Sequence, residues 1–212
     1  GAWVVRIALD QHARWREQGL VMPVSVNISP KHLQQSGFAE RFLAPLLGEY
    51  PEDFARHLEL EVLETSGVGD IAHVAGVMAA CTELGVRFSL DDFGTGYSSL
   101  TYFHRLPVHV LKIDQNFVRH MLDQVGDLDI VEGVLRLSEA LDRPVVAEGV
   151  ESVELGLMLL YLGCHYAQGY GIARPMPAED LPGWLAAWEG QNVWHRLGRE
   201  AAAGGTDIEL QV

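Results

Sequence analysis

The chain has 212 residues, of which 29 are Asp or Glu and 15 are Lys or Arg, giving a formal charge of −14. That balance excludes a protein that tracks polymeric nucleic acid along its backbone, which needs a basic face, and it disfavours contact with an anionic membrane. At 48% hydrophobic and 21% charged residues, the composition is that of a globular chain long enough to bury a core without staples. Cys81 and Cys164 stand far apart at no pair spacing, which suits a reduced protein with neither a disulfide framework nor a zinc knuckle. The opening Gly1–Arg6 lacks a basic lead, and the longest apolar stretch, 156–164, is too short to span a bilayer, so the cytoplasm is the expected location.

Along the chain the apolar period alternates between helical and extended. Trp3, Ile7, Ala8 and Trp15 predict a first helix that stops at Gly19. Val24–Ile28 reads as a strand, Ser29-Pro30 as a helix start, and Phe38, Phe42, Leu43, Leu46 and Leu47 as helical again. A strand over 58–63 precedes a helix from about Asp70 to Leu84, closed by Gly85. Strands over 86–90, 108–113, 144–147 and 165–167 follow, separated by helices over 98–106, from 115 to Leu141, and over 153–162. The stretch 190–212, with its Ala201–Gly205 run, reads as a tail or linker after a domain at 1–189. Strand–helix repetition with short connections predicts parallel strands with helices outside them, in a barrel or a doubly wound sheet. The absence of a G-x-G-x-x-G turn after the first strand weakens a nucleotide-binding Rossmann reading.

The polar residues are placed in a telling way. Asn27, Glu61, Asp91, Asp92, Lys112, Glu148 and Gln168 all fall within or just after predicted strands. In a parallel α/β barrel the carboxyl ends of the strands converge on one face, where active sites are built. Glu61, Asp91, Asp92 and Glu148 cannot share a small pocket unpaired, and Lys112 offsets only one of them. Hard divalent cations with oxygen ligands, Mg²⁺ or Mn²⁺, balance such a set, and two ions roughly 3.5–4 Å apart form a clamp for hydrolysis of a phosphate ester. Each residue has a plainer reading taken singly. Asp91-Asp92 before Phe93-Gly94 suits a turn, Glu61 a solvent-facing strand position, and Lys112 a pair with Asp114 or another nearby acid. Glu59 is read as structural and the histidines as surface or packing residues.

The motifs together resemble the EAL-domain family, bacterial phosphodiesterases that hydrolyse cyclic di-GMP. They are Val26–Pro30, Leu60–Ser66, Asp91–Leu100, Leu111–Asp114, Val146–Glu151 and Gln168–Tyr170 before Pro175, in the family's order. The resemblance implies a modified (β/α)₈ TIM-type barrel that opens one phosphodiester bond, by a metal-activated water, to give linear pGpG. It implies that Asn27, Glu61 and Asp91 are ligands of one Mg²⁺ or Mn²⁺ ion, and that Asp91 bridges to a second ion held with Asp92. Glu148 matches a residue acting as general base or second-metal ligand, and Lys112 the lysine that orients the attacking water. Glu64 matches a glutamate anchoring the 92–97 loop, while Gln168 and Glu151 match substrate-binding positions. A homodimer is expected, as are linked sensory or signalling domains through which the parent protein could be membrane-tethered.

The sequence departs from the family pattern at Leu63, usually threonine, and at His165, often aspartate. The first strand, with the glutamate motif that names the family, is expected to be absent from this chain, which begins inside the first helix. On that expectation the chain alone binds metal weakly and turns over slowly. The alternative is a non-catalytic receptor that binds cyclic di-GMP and signals to a partner.

Overall fold

The computed structural model describes residues 2–35, 37–64, 70–95 and 103–191. These fall into two compact units, Gly1–Leu111 and Lys112–Val212.

In the first unit, strands β1 (Val24–Asn27), β2 (Leu58–Leu63) and β3 (Arg87–Phe93) pair in parallel and in chain order. Parallel pairing requires a crossover between consecutive strands. The first is built from short helical pieces: α2 (Pro30–Leu33), a π-helical segment Phe38–Leu43, α3 (Ala44–Leu47) and a 3₁₀ segment Glu52–His57. The second carries α4 (Ile71–Glu83), whose Asp70 side chain accepts the His73 N–H and caps the helix. Gly85, at φ +97°, supplies the left-handed turn after the helix that most side chains avoid.

The alternation of a pleated strand separates two faces of this sheet. Val24, Val26, Leu58, Leu60, Val62, Phe88 and Leu90 occupy one. The other carries Ser25 and Asn27, Glu59 and Glu61, Ser89 and Asp91. Ser25 Oγ donates to Glu59 Oε1 at 3.2 Å, which gives Glu59 a local structural partner.

Helix α1 (Ala2–Glu17) buries a different stripe from the one its largest residues suggested. Val5, Leu9, His12 and Trp15 face inward, whereas Trp3 is 72% exposed and Ile7 is exposed too. The stripe is concealed in sequence because one of its members is a histidine. His12, only 2% exposed, stacks on His57 at 5.0 Å and meets the edge of Phe54 at 4.8 Å. Burial holds its pKa below the usual histidine range, with His57 adding to the effect, so the ring is neutral in the fold.

Strand β4 (Val110–Ile113) ends the first unit and begins the second. The helical stretch expected to run to Leu141 is two helices, α5 (Gln115–His120) and α6 (Val125–Ala140). Asp114 caps α5 by accepting the Asn116 N–H at 2.9 Å and its amide at 2.7 Å. Strand β5 (Val145–Ala147) pairs in parallel with β6 (Tyr166–Ala167), and α7 (Val153–Tyr161) lies between them in sequence, capped by Ser152. Helix α8 (Leu181–Gln191) crosses the boundary expected at 189–190 and was not anticipated. The remainder of the expected tail, 192–212, lies outside the described residues, as do 65–69 and 96–102, the latter taking in the end of the Asp91–Leu100 motif.

Among the described residues no helix is long and apolar enough to cross a membrane. Both cysteines are buried free thiols. Burial pushes Cys81 up to about 12 and Cys164 up to about 11, which makes neither a nucleophile.

Candidate active site

In the first unit, the register sets Asn27 opposite Glu61 and Glu61 opposite Ser89, so the three form one row on one sheet face. Asp91 lies two residues beyond Ser89 on the same strand, hence on the same face. Glu61 and Asp91 are 7% and 8% exposed, so the solvent-facing reading of Glu61 is not what the fold presents. Ser89 is fully buried, and its hydroxyl has no hydrogen-bond partner. An orphaned buried hydroxyl is uncommon and asks for a ligand, an ion's water or a bound water beside it.

Asp92 would face away from Asp91 in a regular strand. Instead it takes a left-handed φ of 57°, a region in which Asp is among the few non-glycine residues seen. The alternation breaks there, and the two side chains bring carboxylate oxygens within 4.8 Å of one another. The Asp92 N–H donates to Asp91 Oδ1 at 3.1 Å. The donors gathered in this unit are hard oxygens, namely carboxylates, an amide and a hydroxyl, which fits Mg²⁺ or Mn²⁺ rather than a softer metal.

Glu64 sits just past the end of β2 and is buried. Its N–H donates to the Asp91 carbonyl at 3.1 Å, and its Oε2 accepts the Gly94 N–H at 3.0 Å. The turn that leaves β3 is thereby tied to β2, with Thr95 Oγ1 on the Asp92 carbonyl at 2.9 Å.

The second unit holds the remaining candidates. Lys112, 4% exposed, places Nζ 2.6 Å from Glu148 Oε1, while Asp114 is occupied as the cap of α5. Lys112 thus pairs with Glu148 and not with Asp114, its neighbour in sequence. Gln168 Nε2 donates to the same Glu148 Oε1 at 2.7 Å. The Glu148 N–H reaches the Ile113 carbonyl at 3.2 Å. Glu151 is exposed and forms an ion pair with Arg119 at 2.6 Å. No feature of the sequence singled out Arg119 or Ser89: one is an arginine in an amphipathic helix, the other a small residue inside a strand.

A parallel α/β fold with acidic and amide side chains on its strands and strand ends defines the class. The chain belongs to the EAL-domain family, whose model matches residues 1–175. It is 37% identical over 183 residues to the cyclic di-GMP phosphodiesterase PA2567 of Pseudomonas aeruginosa, a match covering 86% of this chain and 31% of that protein. The chain thus spans under a third of that relative's length. Among solved structures, the crystal structure of the EAL domain of Mycobacterium smegmatis DcpA superposes with a TM-score of 0.81 at 36% identity, covering 88% of this chain and 84% of that one. The PaMucR phosphodiesterase in complex with c-di-GMP gives a TM-score of 0.77 at 37% identity, covering 85% and 73%. The fold class is accordingly the modified TIM-barrel type of the EAL domain.

Proposed function

We propose that this protein hydrolyses cyclic di-GMP to linear pGpG with the help of two divalent ions, Mg²⁺ or Mn²⁺. The observation that carries the reading is the row of Asn27 and Glu61 with Asp91 on the same face, intact in a chain of the EAL-domain family. Asn27, Glu61 and Asp91 would hold one ion, and Asp91 with Asp92 the second. When bound, such ions supply charge neutralisation at the phosphate and an acidified water.

The chain's own residues then divide the work. Lys112 orients the attacking water and offsets charge that develops on the phosphate. Glu148 would take the water's proton or join the residues holding the second ion, and in either role it needs an ionised, fixed carboxylate. Water oxygen bonds to phosphorus, the bond from phosphorus to the ribose 3′ oxygen breaks, and the released oxygen takes up a proton. Glu151, three residues after Glu148 in sequence, stands where a guanylate would approach. Linked sensory domains, a homodimer and a cytoplasmic setting belong to the same reading.

Separation of products by HPLC after incubation of the full-length protein with cyclic di-GMP and Mg²⁺ or Mn²⁺ tests this. pGpG is expected, and Asp91→Ala should abolish it. Tight binding in EDTA with no product under any metal would overturn hydrolysis in favour of a receptor.

A further inference from the structure

We propose that Gln168 is a positioning residue for Glu148, and that with Lys112 it holds that carboxylate in one orientation through a single oxygen, Oε1. The proposal deepens the reading above and rests on the role given there to Glu148. Two donors meet on one atom: Lys112 Nζ at 2.6 Å and Gln168 Nε2 at 2.7 Å, both on Oε1. A carboxylate oxygen offers about two lone-pair directions, so this pair occupies the acceptor capacity of Oε1.

The two donors are not equivalent. An ammonium on a four-carbon stem is a point charge that tolerates many carboxylate orientations. The last torsion of a glutamate is broad, so one such contact leaves the carboxylate plane free to turn. A planar amide is directional. Against an acceptor-only carboxylate it must present its N–H, and the second contact thereby sets the plane.

Backbone geometry shows that Gln168 is built to do this. Its N–H donates to the Ala147 carbonyl at 2.9 Å and its carbonyl accepts the Val150 N–H at 3.0 Å, so its main chain brackets Glu148 from both sides. The next residue must be glycine for the two segments to lie so close. A Cβ on Gly169 would stand 2.3 Å from the Val150 nitrogen and oxygen. On the opposite side, Glu148 is tied to Ile113 through its N–H. Gly149, at φ +72°, leaves no room for a Cβ, which would meet the Gln115 Cβ at 2.6 Å. With the main chain fixed on both flanks, the side-chain torsions of Glu148 are the remaining freedom, and the two donors to Oε1 remove it.

Gln168→Met keeps the side chain's length and removes the amide; Gln168→Glu sets a second carboxylate against Oε1. Gln168 is exposed, so both variants should keep the wild-type melting temperature. In Gln168→Met, kcat should fall roughly 10- to 100-fold, the range for losing a hydrogen bond to a charged group, with KM within about threefold. Gln168→Glu should be at least as slow. Cyclic di-GMP affinity measured by calorimetry in EDTA should change less than about twofold in either variant. A tenfold rise in KM or loss of affinity with kcat preserved would make Gln168 a substrate contact and overturn the proposal. A wild-type protein that makes no pGpG overturns the hydrolase reading instead. The positioning role is then still read from the Glu148 carboxyl ¹³C resonance, assigned with Glu148→Gln: it should move in Gln168→Met, and an unmoved resonance overturns the proposal.

Discussion

Glu64 Oε2 accepts the Gly94 N–H at 3.0 Å, joining the end of β2 to the turn that leaves β3. The bond spans residues 30 apart in sequence, and it fixes the backbone immediately after the Asp91–Asp92 pair. Because the Glu64 N–H also holds the Asp91 carbonyl, one residue secures both sides of the left-handed Asp92.

Removing that acceptor should loosen the turn. Glu64→Ala leaves the Gly94 N–H without its partner, at a cost of about 1–3 kcal/mol, whereas Glu64→Gln retains an acceptor. Amide exchange at Gly94 should accelerate strongly in the alanine variant and only slightly in the glutamine variant. Turnover should fall in the same order. Equal exchange in wild type and Glu64→Ala would show that the contact does not hold the turn.

Metal should stabilise the fold through Asp91. At 100 times its dissociation constant, a ligand specific for the native state adds about 2.7 kcal/mol. Saturating Mg²⁺ or Mn²⁺ should therefore raise the melting temperature by several degrees, and EDTA should remove both the shift and pGpG formation. Asp91→Asn, which keeps the shape but not the charge, should lose most of the shift in a thermal melt. A full shift in that variant would place the ion elsewhere.

Lys112 and Glu148 form a buried ion pair, and breaking it from one side strands a charge. Lys112→Met should lower stability by about 3–5 kcal/mol in urea titration and leave little turnover. Lys112→Met combined with Glu148→Met, which removes both charges, should recover much of the stability without the activity. A double variant as unstable as the single would mean that packing, not charge, sets the loss.

The buried His12 gives the fold an acid limit. Burial, then the neighbouring His57, holds its pKa below the ordinary value of 6.5. Burial and Arg56 lower His57 in the same way. Arg16 and Arg56 face the pair with Asp53, whose carboxylate is taken up by Arg16 at 2.7 Å and, at 3.3 Å, by Arg56. The unfolded chain thus binds more protons than the native one below about pH 6.5, so stability is complete above that pH and declines as pH falls through it. The melting temperature should drop between pH 7.5 and 5.5, and His12→Phe should reduce that drop. An identical drop in the variant would assign the acid sensitivity to other groups.

Much of the architecture was legible in the residues. Alternating apolar positions marked β1, β2 and β3, Asp70 and Gly85 bounded α4, and the acids Glu61 and Asp91 stand on strands as their places in the sequence implied. These are local signals, set by propensity, capping and period within a few residues. The direction α1 turns was not legible, because hydrophobic size favoured Trp3 and Ile7 while the buried stripe runs through His12. Nor were the partners. Lys112 had Asp114 two residues away and chose Glu148; Glu151 was taken by Arg119, and Gln168 closed on Glu148. Sequence alone determined which chemical groups this protein possesses and which strands carry them. The tertiary structure decided which group meets which, because strand register and a few glycine contacts bring together residues tens of positions apart, and no local rule ranks such encounters.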